Sequence, residues 1–180
     1  QLLASETAHY VIAFNGEIYN HLDLRRDLGA EGAAPDWRGH SDTETLLAGI
    51  APWGLDETLR RSAGMFAMAL WDRRERRLSL ARDRIGEKPL YWGWAGRALV
   101  FGSELKALRK HPNFPRDVCR QAVAQYLRFS YVPAPRSIHP GVYKLEPGCI
   151  LTVHGAPPPA SPNVPLRPGE SCGALSIRRY

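Results

Sequence analysis

Asn15, Gly16 and Glu17 place a side-chain amide, a flexible backbone position and a carboxylate next to one another. The apolar residues 10–14 before them predict a buried strand, and Asn-Gly at its end predicts a turn. Residues 20–28 carry leucines among good helix formers, so we expect a helix after the turn. An amide and free backbone N–H groups at such a break can stabilise an oxyanion. A plain turn is the alternative that these residues alone leave open.

Asp42 is the second candidate for chemistry, because it lies where a helix is expected to begin. Ser41 and Glu44 have the spacing of a helix capping box. An acid in the first turn is also favoured by the helix dipole, so Asp42 has a sufficient structural explanation. Both roles are compatible, since a helix start is a rigid place from which to present a carboxylate.

The elements that must position these residues can be read from apolar periodicity. Apolar runs separated by charged or glycine-bearing links predict an antiparallel meander of four strands, at residues 65–71, 78–82, 90–94 and 98–101. Helical patterns follow Asp42 up to a stop at Gly54, and occupy residues 55–61, 104–110 and 118–128. Strands and helices in this mixed order favour an α+β fold, with antiparallel sheets flanked by helices.

Length and composition limit the possible functions. A chain of 180 residues suits one domain, and its net charge of +6 comes mostly from arginine. The densest basic cluster, residues 72–77, contains acids and lies between two apolar runs, which indicates a solvated hairpin tip and no nucleic-acid partner. No apolar run approaches the roughly 20 residues that cross a membrane. Three cysteines without Cys-x-x-Cys spacing and scattered histidines favour a reducing cytoplasm and no metal site.

The composition changes after Tyr131, since 10 of the 15 prolines lie between Pro133 and Pro168. Three consecutive prolines begin at Pro157, and proline-rich stretches of this kind do not form a core. We therefore expect a domain at residues 1–128, a connector at 129–155 and a proline-rich linker at 156–180.

Several segments together resemble one known family. The chain is similar to the N-terminal glutaminase domain of glutamine-hydrolysing asparagine synthetases, which are class II glutamine amidotransferases, over about residues 10–151. The resemblance rests on Phe14-Asn15-Gly16-Glu17-Ile18-Tyr19-Asn20, Gly39-His40-Ser41-Asp42-Thr43-Glu44, Gly64-Met65-Phe66-Ala67, Ala81-Arg82-Asp83-Arg84-Ile85-Gly86-Glu87-Lys88-Pro89-Leu90-Tyr91, Phe101-Gly102-Ser103-Glu104-Leu105-Lys106-Ala107-Leu108, Tyr131-Val132-Pro133-Ala134-Pro135 and Lys144-Leu145-Glu146-Pro147-Gly148.

The resemblance implies a four-layer αββα sandwich of antiparallel sheets, the N-terminal-nucleophile hydrolase fold, here lacking its first strands. In that family an N-terminal cysteine attacks the side-chain amide of L-glutamine, with its own α-amine as base. Water then hydrolyses the glutamyl thioester, and the ammonia passes to a synthetase domain that uses ATP and Mg. No cofactor is expected in this chain itself. The implied partners are L-glutamine and the synthetase domain, with a homodimer as a further possibility.

The resemblance also implies roles for individual residues. The side-chain amide of Asn15 and the backbone N–H of Gly16 would form the oxyanion hole, with Gly16 also allowing a close approach of the substrate. Glu17 and Asp42 would hold the α-amine of glutamine, a cation that needs carboxylate acceptors. The charged loop from Arg82 to Lys88 is either a plain link between strands or a surface that faces the synthetase domain.

The chain departs from the family pattern at both ends. It begins at Gln1 rather than at a cysteine, and Cys119 lacks a free α-amine, so we expect no glutaminase activity from this fragment. The Ser-Gly-Gly-Leu-Asp-Ser type of ATP-binding loop does not occur in the sequence. The sequence therefore predicts an incomplete glutaminase domain of an asparagine synthetase that is truncated at both ends. Two alternatives stay open, a relative that uses another acceptor and a non-catalytic binding or scaffold module.

Overall fold

The computed structural model describes residues 2–4 and 9–180 of the chain. Its strands are β1 (Leu2–Ala4), β2 (Tyr10–Ile18), β3 (Gly64–Asp72), β4 (Arg77–Arg82), β5 (Tyr91–Ala95), β6 (Ala98–Gly102), β7 (Val142–Lys144), β8 (Cys149–His154), β9 (Ser171–Cys172) and β10 (Leu175–Arg179). Its helices are α1 (His21–Ala30), α2 (Asp42–Arg61), α3 (Leu105–Leu108) and α4 (Arg120–Phe129).

The strands form two antiparallel sheets. Within the described residues the larger sheet has the order β1-β2-β3-β4-β8-β10-β9, and the smaller sheet has the order β6-β5-β7. Every paired neighbour in both sheets runs antiparallel. We call them sheet A and sheet B.

Three hydrophobic clusters stack these elements into layers. One cluster lies between the sheets and joins residues of β3, β4, β8 and β10 to Trp92, Trp94 and Tyr143 of sheet B. A second joins the outer face of β2 and β3 to apolar residues of α1 and α2. A third packs Leu105 and Leu108 of α3 against sheet B. The resulting order is helices, sheet A, sheet B and helix, as expected for an αββα sandwich.

The predicted meander is divided between the two sheets, which corrects the prediction of one four-stranded unit. β3 and β4 pair in sheet A, whereas β5 and β6 pair in sheet B. The link between β4 and β5 is a folded loop, because the buried carboxylate of Asp83 accepts backbone N–H groups from residues 85–88. The chain therefore crosses between layers at Asp83.

The tail also differs from the prediction, since its last part, β9 and β10, belongs to sheet A. β10 pairs with β8 at positions where a linker was expected, with Leu175 opposite Val153 and Ile177 opposite Leu151. Leu175 and Ile177 alternate along the strand and are buried between the sheets. The connector predicted at residues 129–155 likewise contains β7 and β8. The prolines between β8 and β9 occupy the loop that leads to this strand pair.

The helices agree more closely with the sequence pattern. The stop predicted at Gly54 is a break inside α2, where Gly54 has φ 76° and ψ 170°. Residues 55–61 then continue as a second helical segment within the same element. In the part of the chain that the structure describes, no helix has the length and apolar character needed to cross a membrane.

Candidate functional site

Asn15, Gly16 and Glu17 lie inside strand β2, so the turn predicted at Asn-Gly is wrong. β2 continues to Ile18 and pairs with β3 along its whole length, with Asn15 opposite Ala67 and Glu17 opposite Met65. The local turn signal is overridden because long-range pairing supplies partners to the backbone of these residues. The break into α1 comes at Tyr19 and Asn20 instead.

The hydrogen bonds of β3 show which way the backbone of Gly16 points. Phe66, the residue opposite Gly16, donates its N–H to the carboxylate of Asp83 and accepts the N–H of Asp83 at its own carbonyl. Opposite residues of an antiparallel pair exchange both hydrogen bonds or neither. Gly16 therefore directs its N–H and C=O away from β3.

Ile18 at the end of β2 and Tyr19 directly after it confirm this alternation. Tyr19 donates its N–H to the carbonyl of Ala63 on the β3 side, at 2.8 Å. Ile18 donates its N–H to Asp42 on the other side, at 2.9 Å. In the described residues β1 pairs with β2 only at positions 11–13, so Gly16 faces an edge that no described strand covers. A backbone donor at such an edge is available to a ligand.

Gly16 is required by packing within the sheet. A β-carbon on Gly16 would lie 2.2 Å from the carbonyl oxygen of Met65 and 2.6 Å from the α-carbon of Phe66. Gly64 presents the reciprocal constraint, since its β-carbon would lie 2.2 Å from the carbonyl oxygen of Glu17. The absence of a β-carbon at Gly16 is therefore needed for the close approach between β2 and β3.

The side chain of Asn15 points to the sheet B side of sheet A. Even-numbered residues of β2, such as Ile12 and Phe14, pack on the helix side, and side chains alternate along a strand. The Asn15 amide nitrogen donates to the hydroxyl of Ser103 at 2.9 Å, while Asn15 itself is exposed. The amide thus lies beside the open backbone edge at Gly16.

Asp42 lies at the same edge, where its carboxylate makes hydrogen bonds that hold the backbone. Its Oδ2 accepts the N–H of Ile18, and its Oδ1 accepts the N–H of Thr43 at 2.7 Å. The hydroxyl of Ser41 caps the helix through Thr43, as predicted, whereas Glu44 accepts the N–H groups of Arg38 and Gly39. Oδ1 also accepts the hydroxyl of Thr43 at 3.3 Å, so the second lone pair of Oδ2 is the one that can accept from an ammonium group.

Glu17 completes the set of predicted residues. It is exposed, two positions along β2 from Asn15 and on the same face of the strand. The pKa of Tyr19 is raised by partial removal of its hydroxyl from water and then by the nearby carboxylates of Glu87 and Glu17. The carboxylates of Glu17 and Glu87 therefore both lie near this end of β2.

Two residues of the site were not predicted. Asp83 fixes β3 opposite Gly16, and its carboxylate accepts five backbone N–H groups, from Phe66 and residues 85–88. Ser103 holds the amide of Asn15 from sheet B. Both lie in motifs that carry the family resemblance, but nothing in their local sequence assigns them these partners.

The cysteines lie in other parts of the fold. Cys149 is fully buried in β8, and burial raises the pKa of its thiol. Cys172 is exposed in β9, at the opposite end of sheet A from β2, and Cys119 precedes α4. Among residues 2–4 and 9–180, no three His, Cys, Asp or Glu side chains are grouped to hold a metal ion.

Comparison with known proteins finds a matching family and matching relatives that agree with one another. Residues 1–158 match the family described as glutamine amidotransferase domain. A proposed glutamine-hydrolysing asparagine synthetase of Mycobacterium tuberculosis is 40% identical over 147 residues, which is 80% of this chain and 22% of that protein. Glutamine-hydrolysing asparagine synthetase 1 of Bacillus subtilis is 38% identical over 153 residues, 85% of this chain and 24% of that protein. The chain thus spans less than a quarter of the length of these two relatives.

A solved structure shows the same fold at lower identity. The glutamine phosphoribosylpyrophosphate amidotransferase of B. subtilis, in complex with ADP and GMP, superposes with a TM-score of 0.58 at 21% identity. The match covers 99% of this chain and 31% of that protein. The layered antiparallel sheets are therefore those of the N-terminal-nucleophile amidotransferases.

Proposed function

The chain belongs to the glutamine amidotransferase domain family, and from this membership we propose that it is the glutaminase part of an asparagine-synthetase-like protein. In the complete protein it would release ammonia from L-glutamine, and a synthetase domain would transfer that ammonia to an ATP-activated aspartate. Similarity to glutamine-hydrolysing asparagine synthetases over 80% and 85% of the chain supports this acceptor.

The observation that carries the proposal is the orientation of Gly16. Its N–H faces the open edge of β2, and the side-chain amide of Asn15 lies next to it. A thiolate that attacks the glutamine amide creates an oxyanion, and two such donors would stabilise it. We assign both donors to that role. The oxyanion then collapses to the glutamyl thioester, the C–N bond breaks, and the nitrogen takes the proton removed from the thiol and leaves as ammonia.

Glu17 and Asp42 are assigned to the α-amine of glutamine. A primary ammonium group donates three hydrogen bonds and pairs best with carboxylates. Asp42 is fixed by its bond from Ile18, so it offers a rigid acceptor, whereas the exposed Glu17 is free to adjust. A further carboxylate near this end of β2, that of Glu87, would also favour an ammonium group.

The attacking group would be supplied by residues outside this sequence. Amidotransferases of this kind use the thiol and the free α-amine of an N-terminal cysteine, and the α-amines of all three cysteines here are in peptide bonds. We therefore propose that residues 1–180 alone bind glutamine weakly and do not hydrolyse it.

The synthetase domain would also bind ATP and Mg. Residues 1–180 contain a candidate surface on which that domain would dock. Exposed apolar side chains occur on α4 and on its flanks, namely Val118, Tyr126, Leu127, Phe129 and Tyr131, and the rings of Phe129 and Tyr131 lie 6.4 Å apart. Several large apolar side chains exposed on one element commonly indicate an interface. We assign it to the synthetase domain of the same chain, because the two relatives are more than four times as long as their matched regions. Cytoplasmic location and homodimer formation remain predictions.

The test is glutamine hydrolysis by the complete gene product that contains residues 1–180, with and without Asn15→Ala. We expect kcat to fall about 10²–10³-fold in the variant, with a much smaller change in KM, since the amide contacts chiefly the developing oxyanion. Release of ammonia by residues 1–180 alone would show that the nucleophile lies within these residues, contrary to the proposal. A complete gene product with neither hydrolysis nor labelling by a chloroketone analogue of glutamine would favour the scaffold alternative. Activity with an acceptor other than aspartate would correct only the acceptor.

A further inference from the structure

The amide of Asn15 is held by a residue from the other sheet. Its nitrogen donates to the hydroxyl oxygen of Ser103 at 2.9 Å, across 88 positions of sequence. Asn15 belongs to β2 of sheet A, and Ser103 directly follows β6 of sheet B. The bond therefore joins the two sheets at the candidate oxyanion site.

Ser103 is itself fixed by its neighbours on both sides. Gly102 before it is the last paired residue of β6 and lies opposite Tyr91. After it, α3 folds back so that the buried Leu108 contacts Gly102, where an added β-carbon would lie 3.3 Å from a methyl carbon of Leu108. The hydroxyl of Ser103 is thus presented from a packed strand-to-helix junction.

The chemistry of a primary amide makes this contact useful. Its nitrogen carries two N–H bonds that point in different directions. When one bond is donated to Ser103, the other is oriented by the same contact and, because Asn15 is exposed, it can reach a ligand. An unrestrained exposed side chain would exchange among several rotamers. An oxyanion donor contributes most when it is oriented before the reaction begins.

We propose, resting on the function proposed above, that Ser103 is a positioning residue for the oxyanion donor Asn15. Ser103 acts on the orientation of the amide and does not touch glutamine. Its loss would lower kcat through poorer stabilisation of the transition state and leave glutamine binding nearly unchanged. The expected size is that of one neutral hydrogen bond, about 3- to 10-fold in kcat.

The test uses the complete gene product and steady-state glutamine hydrolysis. Ser103→Ala should lower kcat by this factor with KM little changed, whereas Ser103→Thr, which keeps the hydroxyl, should retain most of kcat. Ser171→Ala in the exposed strand β9 is the matched control and should not alter kcat. Saturating labelling with the chloroketone analogue should remain stoichiometric in every variant, since the pocket and the nucleophile are intact.

A double-mutant cycle separates positioning from a general structural effect. In an Asn15→Ala background, Ser103→Ala should change kcat by less than 2-fold, because the group it positions has been removed. An equal loss in both backgrounds, or an unchanged kcat in Ser103→Ala alone, would overturn the positioning role. Failure of the unsubstituted protein to hydrolyse glutamine would instead overturn the proposed function, and the positioning role with it.

Discussion

The backbone N–H of Ile18 donates to the carboxylate of Asp42 at 2.9 Å. This bond attaches the start of α2 to the open edge of β2, two residues beyond Gly16. Asp42 therefore has a structural role that is visible without any ligand, in addition to the role assigned to it in binding. Substitutions that keep or remove the acceptor oxygen can separate the two roles.

Asp42→Asn keeps an oxygen that can accept from Ile18 but removes the negative charge. In the complete gene product we expect KM for glutamine to rise about 10- to 100-fold, because a charged partner of the α-amine contributes about 1.5–3 kcal/mol. The unfolding temperature should fall less than in Asp42→Ala, because asparagine keeps one of the two oxygens that accept the N–H groups of Ile18 and Thr43. Asp42→Ala removes the acceptor as well and should also lower the unfolding temperature. Equal KM values for Asp42→Asn and the unsubstituted protein would remove Asp42 from the amine site.

Gly16→Ala should destabilise the domain, because the new β-carbon meets backbone atoms of β3 that cannot rotate away. We expect the free energy of unfolding, measured in urea, to fall by about 1–3 kcal/mol or more. Gly29→Ala is the matched control, since a β-carbon there has no heavy atom within 4 Å and the residue lies in α1. That substitution should raise the free energy of unfolding by about 0.5–1 kcal/mol. Similar effects of the two would show that β2 and β3 are farther apart in solution.

Asp83→Ala should be among the most damaging substitutions in the domain. Five backbone N–H groups lose their acceptor, and an unsatisfied buried donor costs about 1–3 kcal/mol. We expect the free energy of unfolding to fall by at least about 3 kcal/mol, and residues 84–89 to become sensitive to protease. Asp83→Asn retains one accepting oxygen and should lose less. Equal losses for the alanine and asparagine variants would contradict the hydrogen-bonding role.

The sequence predicted most of the elements but few of the partners. Apolar runs located β3 to β6, and the capping pattern at Ser41 located the start of α2. The division of the meander between two sheets depends on the bonds of Asp83, which link positions that have no periodic relationship. A single buried carboxylate that binds four nearby N–H groups and one on β3 leaves no periodic pattern in the chain.

The errors at Asn15 and at the tail have a common physical cause. A local signal, Asn-Gly in one case and consecutive prolines in the other, was outweighed by long-range strand pairing. Gly16 extends β2 because Gly64 and the backbone of β3 fit closely against it. Leu175 and Ile177 are only two apolar residues, yet both are buried once β8 provides a neighbour. Pairing partners of this kind are fixed by topology rather than by neighbouring residues.

The ion pair between Asp56 and Arg178 should make the free energy of unfolding depend slightly on pH in the acidic range. Arg178 donates to both carboxylate oxygens of Asp56, at 3.0 Å and 2.5 Å, and so links α2 to β10. This hydrogen bonding lowers the pKa of Asp56, against the opposing effect of partial burial. A lowered folded-state pKa stabilises the protein above the unfolded-state pKa of about 3.9, and the stabilisation is lost as pH falls through the folded-state value.

Asp56→Asn should therefore lower the free energy of unfolding at pH 7, by less than about 1 kcal/mol because the pair is partly exposed. Urea unfolding at pH 7 and in acid measures the difference between the variant and the unsubstituted protein. That difference should shrink as the pH falls below about 4. Asp36→Asn in the exposed loop before α2 serves as the control and should show no such trend. A constant difference at all pH values would mean that the contact does not act through charge.

Leu127 tests the surface assigned to the synthetase domain. It is 78% exposed on α4, so Leu127→Ser should change the stability of residues 1–180 by no more than about 0.5 kcal/mol. In the complete gene product the same substitution should lower the unfolding temperature and increase proteolysis of the segment after α4, because burial of a leucine contributes about 1.5–3 kcal/mol. Leu22→Ser is the matched control, since Leu22 is 61% exposed on α1, on the helix layer over sheet A. If both substitutions lower the unfolding temperature of the complete protein equally, the synthetase domain does not dock specifically on α4. An exposed leucine on α1 would then matter as much as the leucine assigned to the interface.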